Sequence, residues 1–173
     1  MARIFTIEDV KLIFKNFTGV ETKFNKRGNR NFGVLIEDEK VALDLIEDGW
    51  NVRQLKPRED VEDETPGYWL PVAVKYAEDG DTSRDPNIFT ITSRQRTVLT
   101  PETVGILDWA EPMTIDVSLN GSSWKDDDGV WRIKAYCKTL AFVMREDPIL
   151  NKYVNVPESA MEILETQLAE DEE

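Results

Sequence analysis

Residues 114–119 alternate polar and apolar side chains without a break. Thr114, Asp116 and Ser118 fall on one face of an extended chain, and Ile115, Val117 and Leu119 on the other. A repeat of two is what a strand with one buried face requires. Strand-forming segments recur along the chain: residues 10–17 (VKLIFKNF), 31–36 (NFGVLI), 51–56 (NVRQLK), 68–76 (YWLPVAVKY), 87–92 (NIFTIT) and 129–144. The first of these is especially rich in β-branched and aromatic residues. Pro71 predicts an edge or bulged strand over 68–76. A polar turn is expected over 120–128.

Helices are few. Residues 37–48 carry Val41, Leu43, Leu45 and Ile46 and are followed by Gly49, where a helix-terminating glycine belongs. Thr100 and Pro101 read as the cap and first position of a short helix running to about Leu107. Residues 159–168 (SAMEILETQL) space Met161, Leu164 and Leu168 for a third. The expected fold is mainly β, a barrel or sandwich with inserted helices. With 173 residues there is room for one domain plus a tail. Residues 1–155 are read as that domain and residues 156–173 as an acidic C-terminal helix and tail.

Composition excludes some chemistries. The chain has no histidine, which removes Ser-His-Asp and Cys-His nucleophile systems and His-ligated metals. The single cysteine, Cys137, precludes an internal disulfide and fits a reducing compartment. The opening MARIFTIEDV lacks the apolar segment of a signal peptide, and apolar runs are too short to span a membrane. Asp126-Asp127-Asp128-Gly129 lacks the alternating ligands of a calcium loop and reads as a hairpin turn. No metal and no cofactor are expected.

The formal net charge of −13 argues at first against a nucleic-acid partner. Its distribution reverses that inference. Residues 59–64 hold five acids and residues 154–173 hold seven with no base, so these two blocks carry −12 of the −13. Residues 1–34 carry +4.

Residues 130–138 (VWRIKAYCK) alternate in a way that explains what the basic residues could do. Trp131, Ile133, Ala135 and Cys137 suit a core, while Arg132, Lys134, Tyr136 and Lys138 share the other face. Single-stranded nucleic acid needs cations along its phosphates and flat rings under its bases, each base stack contributing about 1–3 kcal/mol. Lys11, Ile13, Lys15 and Phe17 are expected on one face of the first strand. In residues 19–32, Lys23, Lys26, Arg27 and Arg30 surround Phe24 and Phe32, with asparagines and glycines for turns. Phe32 reads as core and Phe24 as a base platform. Trp50, Trp69 and Trp109 read as packing residues, and Trp124, in a polar hairpin, as a further platform.

Residues 17–34 read FTGVETKFNKRGNRNFGV, followed later by DGWNV at 48–52, LKPR at 55–58 and WRIKAYCKTL at 131–140. In these segments the chain resembles a family of bacteriophage single-stranded DNA-binding proteins of the OB-fold type, over residues 10–153. The resemblance implies an OB-fold-like β-barrel that coats single-stranded DNA in phage replication and recombination, in the cytoplasm of an infected bacterial host. By strand face and loop position, Lys11, Lys15, Lys23, Lys26, Arg30, Arg132, Lys134 and Lys138 are expected to meet the phosphates, and Phe24, Tyr136 and Trp124 the bases. The acids of 59–64 and 124–128 are expected away from that face.

The last residues, Glu170, Asp171, Glu172 and Glu173, form an acidic end that could compete for the same cations and recruit replication or recombination proteins. Homo-oligomer formation is left open. Two other functions would need different patterns of acids. An acidic DNA mimic or host-protein inhibitor requires acids spread over the body, and a metal-dependent nuclease requires converging acids on ordered strands. Neither pattern is present.

Overall fold

A computed structural model describes residues 3–55, 67–78, 80–93 and 95–145. The order is β1 (Arg3–Ile7), β2 (Lys11–Asn16), β3 (Arg30–Ile36), α1 (Glu39–Asp48), β4 (Arg53–Gln54), β5 (Tyr68–Val74), β6 (Asn87–Ile91), β7 (Arg96–Val98), β8 (Pro112–Lys125) and β9 (Trp131–Met144). Two short 3-10 turns, Thr82–Arg84 and Val104–Asp108, lie between β5 and β8. The second occupies the place of the helix expected from Thr100. The helix and tail expected over 156–173, and the acidic block at 59–64, lie outside the described residues.

The main sheet runs β1-β8-β9-β5-β3-β2. Its two ends are consecutive pieces of one segment, bent at Glu8-Asp9. The Val10 amide still donates to the Ile115 carbonyl at 2.9 Å, so the segment leaves β8 only as it begins to pair with β3. The path therefore returns on itself. β2, β3 and β5 form an antiparallel meander, β8 and β9 a hairpin, β1 pairs antiparallel with β8, and β5 pairs parallel with β9. That wiring is the five-stranded Greek-key barrel of the OB fold, its first strand supplied by β1 and β2 together. α1 with β4, and β6 with β7, are insertions.

The alternation in β8 works as read. Ile115, Val117 and Leu119 are buried, opposite Phe142, Leu140 and Cys137 of β9. A one-residue slip would turn all three outward at about 1.5–3 kcal/mol each, which fixes the register. Phe17 and Phe32 stack inside the barrel with ring centres 5.1 Å apart. α1 begins at Asp38, whose carboxylate accepts from the Lys40 amide, and ends at Gly49 with φ 101°. That left-handed turn is cheap only for glycine.

Three expectations are corrected. β8 continues to Lys125, so the polar segment 120–125 is strand and only residues 126–130 turn. β5 is an interior strand. Pro71 is tolerated because it falls between β4, which pairs with Tyr68 and Trp69, and β9, which pairs with Val72 and Ala73. Trp131 has the core parity but is 64% exposed, because the hairpin projects past the last core layer.

Candidate nucleic-acid interface

Register places one continuous outer face across the barrel. One row is Asn31, Ala73, Tyr136 and Asn120, from β3, β5, β9 and β8. A second is Lys11, Leu35, Trp69 and Arg53, from β2, β3, β5 and β4. Along β9 the same face carries Arg132, Lys134 and Tyr136, and Trp124 is the cross-strand partner of Arg132. The Lys134 ammonium lies 5.3 Å from the centre of the Tyr136 ring. Four of the sequence-selected residues are therefore gathered on the β8–β9 hairpin. Lys138 is the extra residue of a bulge between the pairs Leu119–Cys137 and Ser118–Thr139, and it is exposed.

The loop from 17 to 29 stands beside this face. Its shape is made by side-chain amides acting on the backbone. Asn16 accepts from the amides of Gly19 and Val20, Asn25 donates to the carbonyls of Val20 and Asn29, and Asn31 donates to Asn25. Asp108 accepts from the amides of Phe17 and Thr18 at 2.7 and 3.0 Å, anchoring the loop's start. The ordered frame leaves Phe24 at 93% exposure, with the Lys23 ammonium 5.8 Å from its ring and Lys26 exposed nearby in sequence. An aromatic so exposed contributes almost nothing to the core.

Two predicted phosphate contacts do not join the face. Lys15 donates to the carbonyls of Leu107 and Ala110 at 2.9 and 3.4 Å, pinning the 3-10 turn. The reason is a β-bulge between Ile13 and Asn16, which breaks the expected alternation. Arg30 has the inward parity of Phe32 and donates to the Phe17 carbonyl at 2.8 Å, 5.5 Å over the Tyr76 ring. Lys11 reaches the face but is paired with Glu37 at 3.2 Å.

Asp126 overturns the expectation that the 124–128 acids stand apart. It bonds Arg132 at 2.7 Å, because its turn closes the very hairpin that carries Arg132. Hydrogen bonding from Arg132, and then from the Val130 amide, holds its carboxyl below the usual carboxylate range.

Three residues of the face were missed or misread. Trp69 was read as packing, yet lies on the outer side of β5. Phe14 meets its ring edge-on, with centroids 4.9 Å apart, and is 62% exposed at φ 51°. A positive φ is strained for an aromatic residue, and such strain clusters at functional sites. Arg53 pairs opposite Trp69 and is exposed. The bulge that displaces Lys15 also creates this Phe14 position, and no alternation pattern announces it. Trp109 was also read as packing and is 78% exposed, at the end of the second 3-10 turn.

An OB-type barrel with rings and cations on the outer side of its first, third and fifth strands, and an aromatic at the tip of its first loop, belongs to the class that grips single-stranded nucleic acid. The chain belongs to the family described as "Putative phage ssDNA-binding domain", whose model matches residues 2–173. Among solved structures, it is similar to the single-stranded DNA-binding protein of bacteriophage Enc34 in its C-terminally truncated form (10% identity, 84% of this chain and 87% of that chain, TM-score 0.49). It is also similar to the same Enc34 protein in complex with ssDNA (12% identity, 84% and 88% covered, TM-score 0.44). A third is gp2.5, a single-stranded DNA-binding protein encoded by bacteriophage T7 (12% identity, 91% and 97% covered, TM-score 0.38). No curated protein matches the sequence significantly.

Proposed function

We propose that this chain binds single-stranded DNA without sequence preference and coats it during phage DNA replication or recombination, in the cytoplasm of the infected host. The observation that carries the reading is the β9 stripe: Tyr136 flanked by Lys134 and Arg132, with Trp124 across from Arg132, on a barrel of the matching family. Extended DNA offers a line of phosphates and a line of unstacked bases. Cations and rings in one row engage both, and no base edge has to be read.

In this mechanism Lys11, Lys23, Lys26, Arg53, Arg132, Lys134 and Lys138 follow the phosphates, and bases stack on Tyr136, Trp124, Trp69 with Phe14, and Phe24. Arg132 exchanges Asp126 for phosphate as the strand arrives. Nothing is cleaved and no cofactor takes part. Residues 156–173 act as a separate acidic tail that competes for the groove and meets partner proteins.

The test is fluorescence anisotropy of labelled oligo-dT and of a duplex, over a salt series. We expect preference for the single strand and an affinity that falls, for each tenfold rise in salt, by about 0.7 logarithmic units per phosphate neutralised. Tyr136→Ala should weaken binding by about 1–3 kcal/mol. An absent or salt-independent signal sinks the reading.

A further inference from the structure

The stripe on β9 does not stop at Lys138. Past the bulge, the outer side of the strand continues through Thr139, Ala141 and Val143, while Leu140 and Phe142 turn into the core. Over this stretch β6 replaces β5 as the parallel neighbour of β9. Phe89 of β6 stands opposite Ala141, and Val98 of β7 opposite Phe89, so all three share the side that holds Tyr136. Ile88, with the other parity, is fully buried.

On this extension the Arg96 guanidinium lies 4.1 Å from the centre of the Phe89 ring. Arg96 is exposed, and among the described residues no ion pair joins it to an acid. The carboxylate nearest in sequence to the start of β6, Asp85, is occupied by the Ala77 amide at 2.7 Å. The opposite flank of β9 differs. There Asp116 faces Ala141 and accepts from the Asp9 amide, which makes that side acidic. A polyanion leaving Tyr136 is therefore steered toward β6 and β7. A guanidinium held on a ring offers a flat surface to a base and N–H donors to a phosphate from one preset position.

We propose that the β6–β7 hairpin is a second contact station for single-stranded DNA, with Arg96 stacked on Phe89 as its working element. The proposal rests on the reading of the barrel face as a single-strand interface and lengthens it. Five residues of strand separate Tyr136 from Ala141, about 16 Å. That distance adds to the stretch already held on the barrel face, so a strand that fills the face from Phe24 to Tyr136 and also reaches the hairpin needs the upper part of the ~4–16 nucleotides that one OB barrel covers.

The experiment uses the full chain and labelled oligo-dT of about 6 and about 20 nucleotides, one near the lower end of that range and one above it. Arg96→Glu should weaken the long oligonucleotide about tenfold, one stacking contribution, and leave the short one within about twofold. The salt slope on the long oligonucleotide should drop by about 0.7. Arg96→Glu keeps a charge on the edge strand, so a residue that only guards the edge against strand pairing would leave both affinities unchanged, and that result overturns the proposal. Equal loss at both lengths overturns it as well, since it would mark a change in the whole fold. Arg96→Ala, with an unchanged melting temperature, should repeat the length-selective loss. Failure of the underlying reading looks different: the parent chain would bind neither oligonucleotide, or Tyr136→Ala would leave both affinities intact.

Discussion

The indole of Trp69 lies across Gly33: a Cβ added at residue 33 would come within 2.7 Å of Trp69 Cε3. Carbon atoms pack best at about 3.5–4.0 Å, so the ring rests on β3 only because residue 33 has no side chain. Ile13 and Phe14 bound the same ring. Gly33→Ala should push the indole off the sheet. We expect the circular dichroism spectrum to be kept, the tryptophan emission to shift, and affinity for oligo-dT to fall severalfold. Unchanged affinity with a shifted emission would remove Trp69 from the interface.

Asp126 gives a pH prediction. Its carboxyl is held below the usual range by Arg132 first and the Val130 amide next. A carboxyl lowered by folding stabilises the native state above its unfolded value and loses that contribution as pH falls through the folded value. Asp126→Asn should therefore melt below the parent at pH values above about 4, and the gap should close as the solution is acidified further. The same variant frees Arg132, so its affinity for oligo-dT at low salt should rise and its salt slope steepen by about 0.7. A melting gap that persists in strong acid would show that the turn geometry, and not the charge, is at stake.

Lys15 and Arg30 should behave as structural cations. Lys15→Met leaves the carbonyls of Leu107 and Ala110 without their donor, at about 1–3 kcal/mol for each that stays buried. Arg30→Met similarly orphans the Phe17 carbonyl. Thermal melts should fall by several degrees, while the salt slope of DNA binding stays at the parent value. A reduced slope in either variant would return that residue to the phosphate track.

Cys137 faces the core, and burial pushes its thiol up to about 12. Thiolate is the reactive form. At pH 8 a thiol reagent should leave the native protein untouched and label one site after denaturation. Rapid native labelling would contradict the inward placement of residue 137.

Much of this architecture was legible from residue order. The period-two run at 114–119, a helix within residues 37–48 closed by Gly49, and the inward Ile133, Ala135 and Cys137 of β9 all depend on local chemistry, and the structure places them accordingly. What was not legible depends on distant partners. Lys15 looks like any other cation until the chain brings Leu107, 92 positions away, within reach. Trp69 and Trp131 are both half-apolar strand residues in sequence, and only the edge of the core decides that Trp131 projects into solvent. Ser122, Ser123 and Lys125 read as a turn because two-sided exposure removes the apolar signal, although their backbone is fully paired with β9.

The bent N-terminal segment has a consequence for how the protein is made. Ile4 pairs with Asn120 and Ile7 with Val117. Of the two strands, β1 leaves the ribosome first and is thus without its partner until more than a hundred further residues have been added. At about 5–20 residues per second, that interval is roughly 5–20 s. Through it, Phe5 and Ile7 have no barrel to enter. Soluble yield during rapid expression should therefore follow temperature and chaperone supply more closely than the stability of the finished barrel.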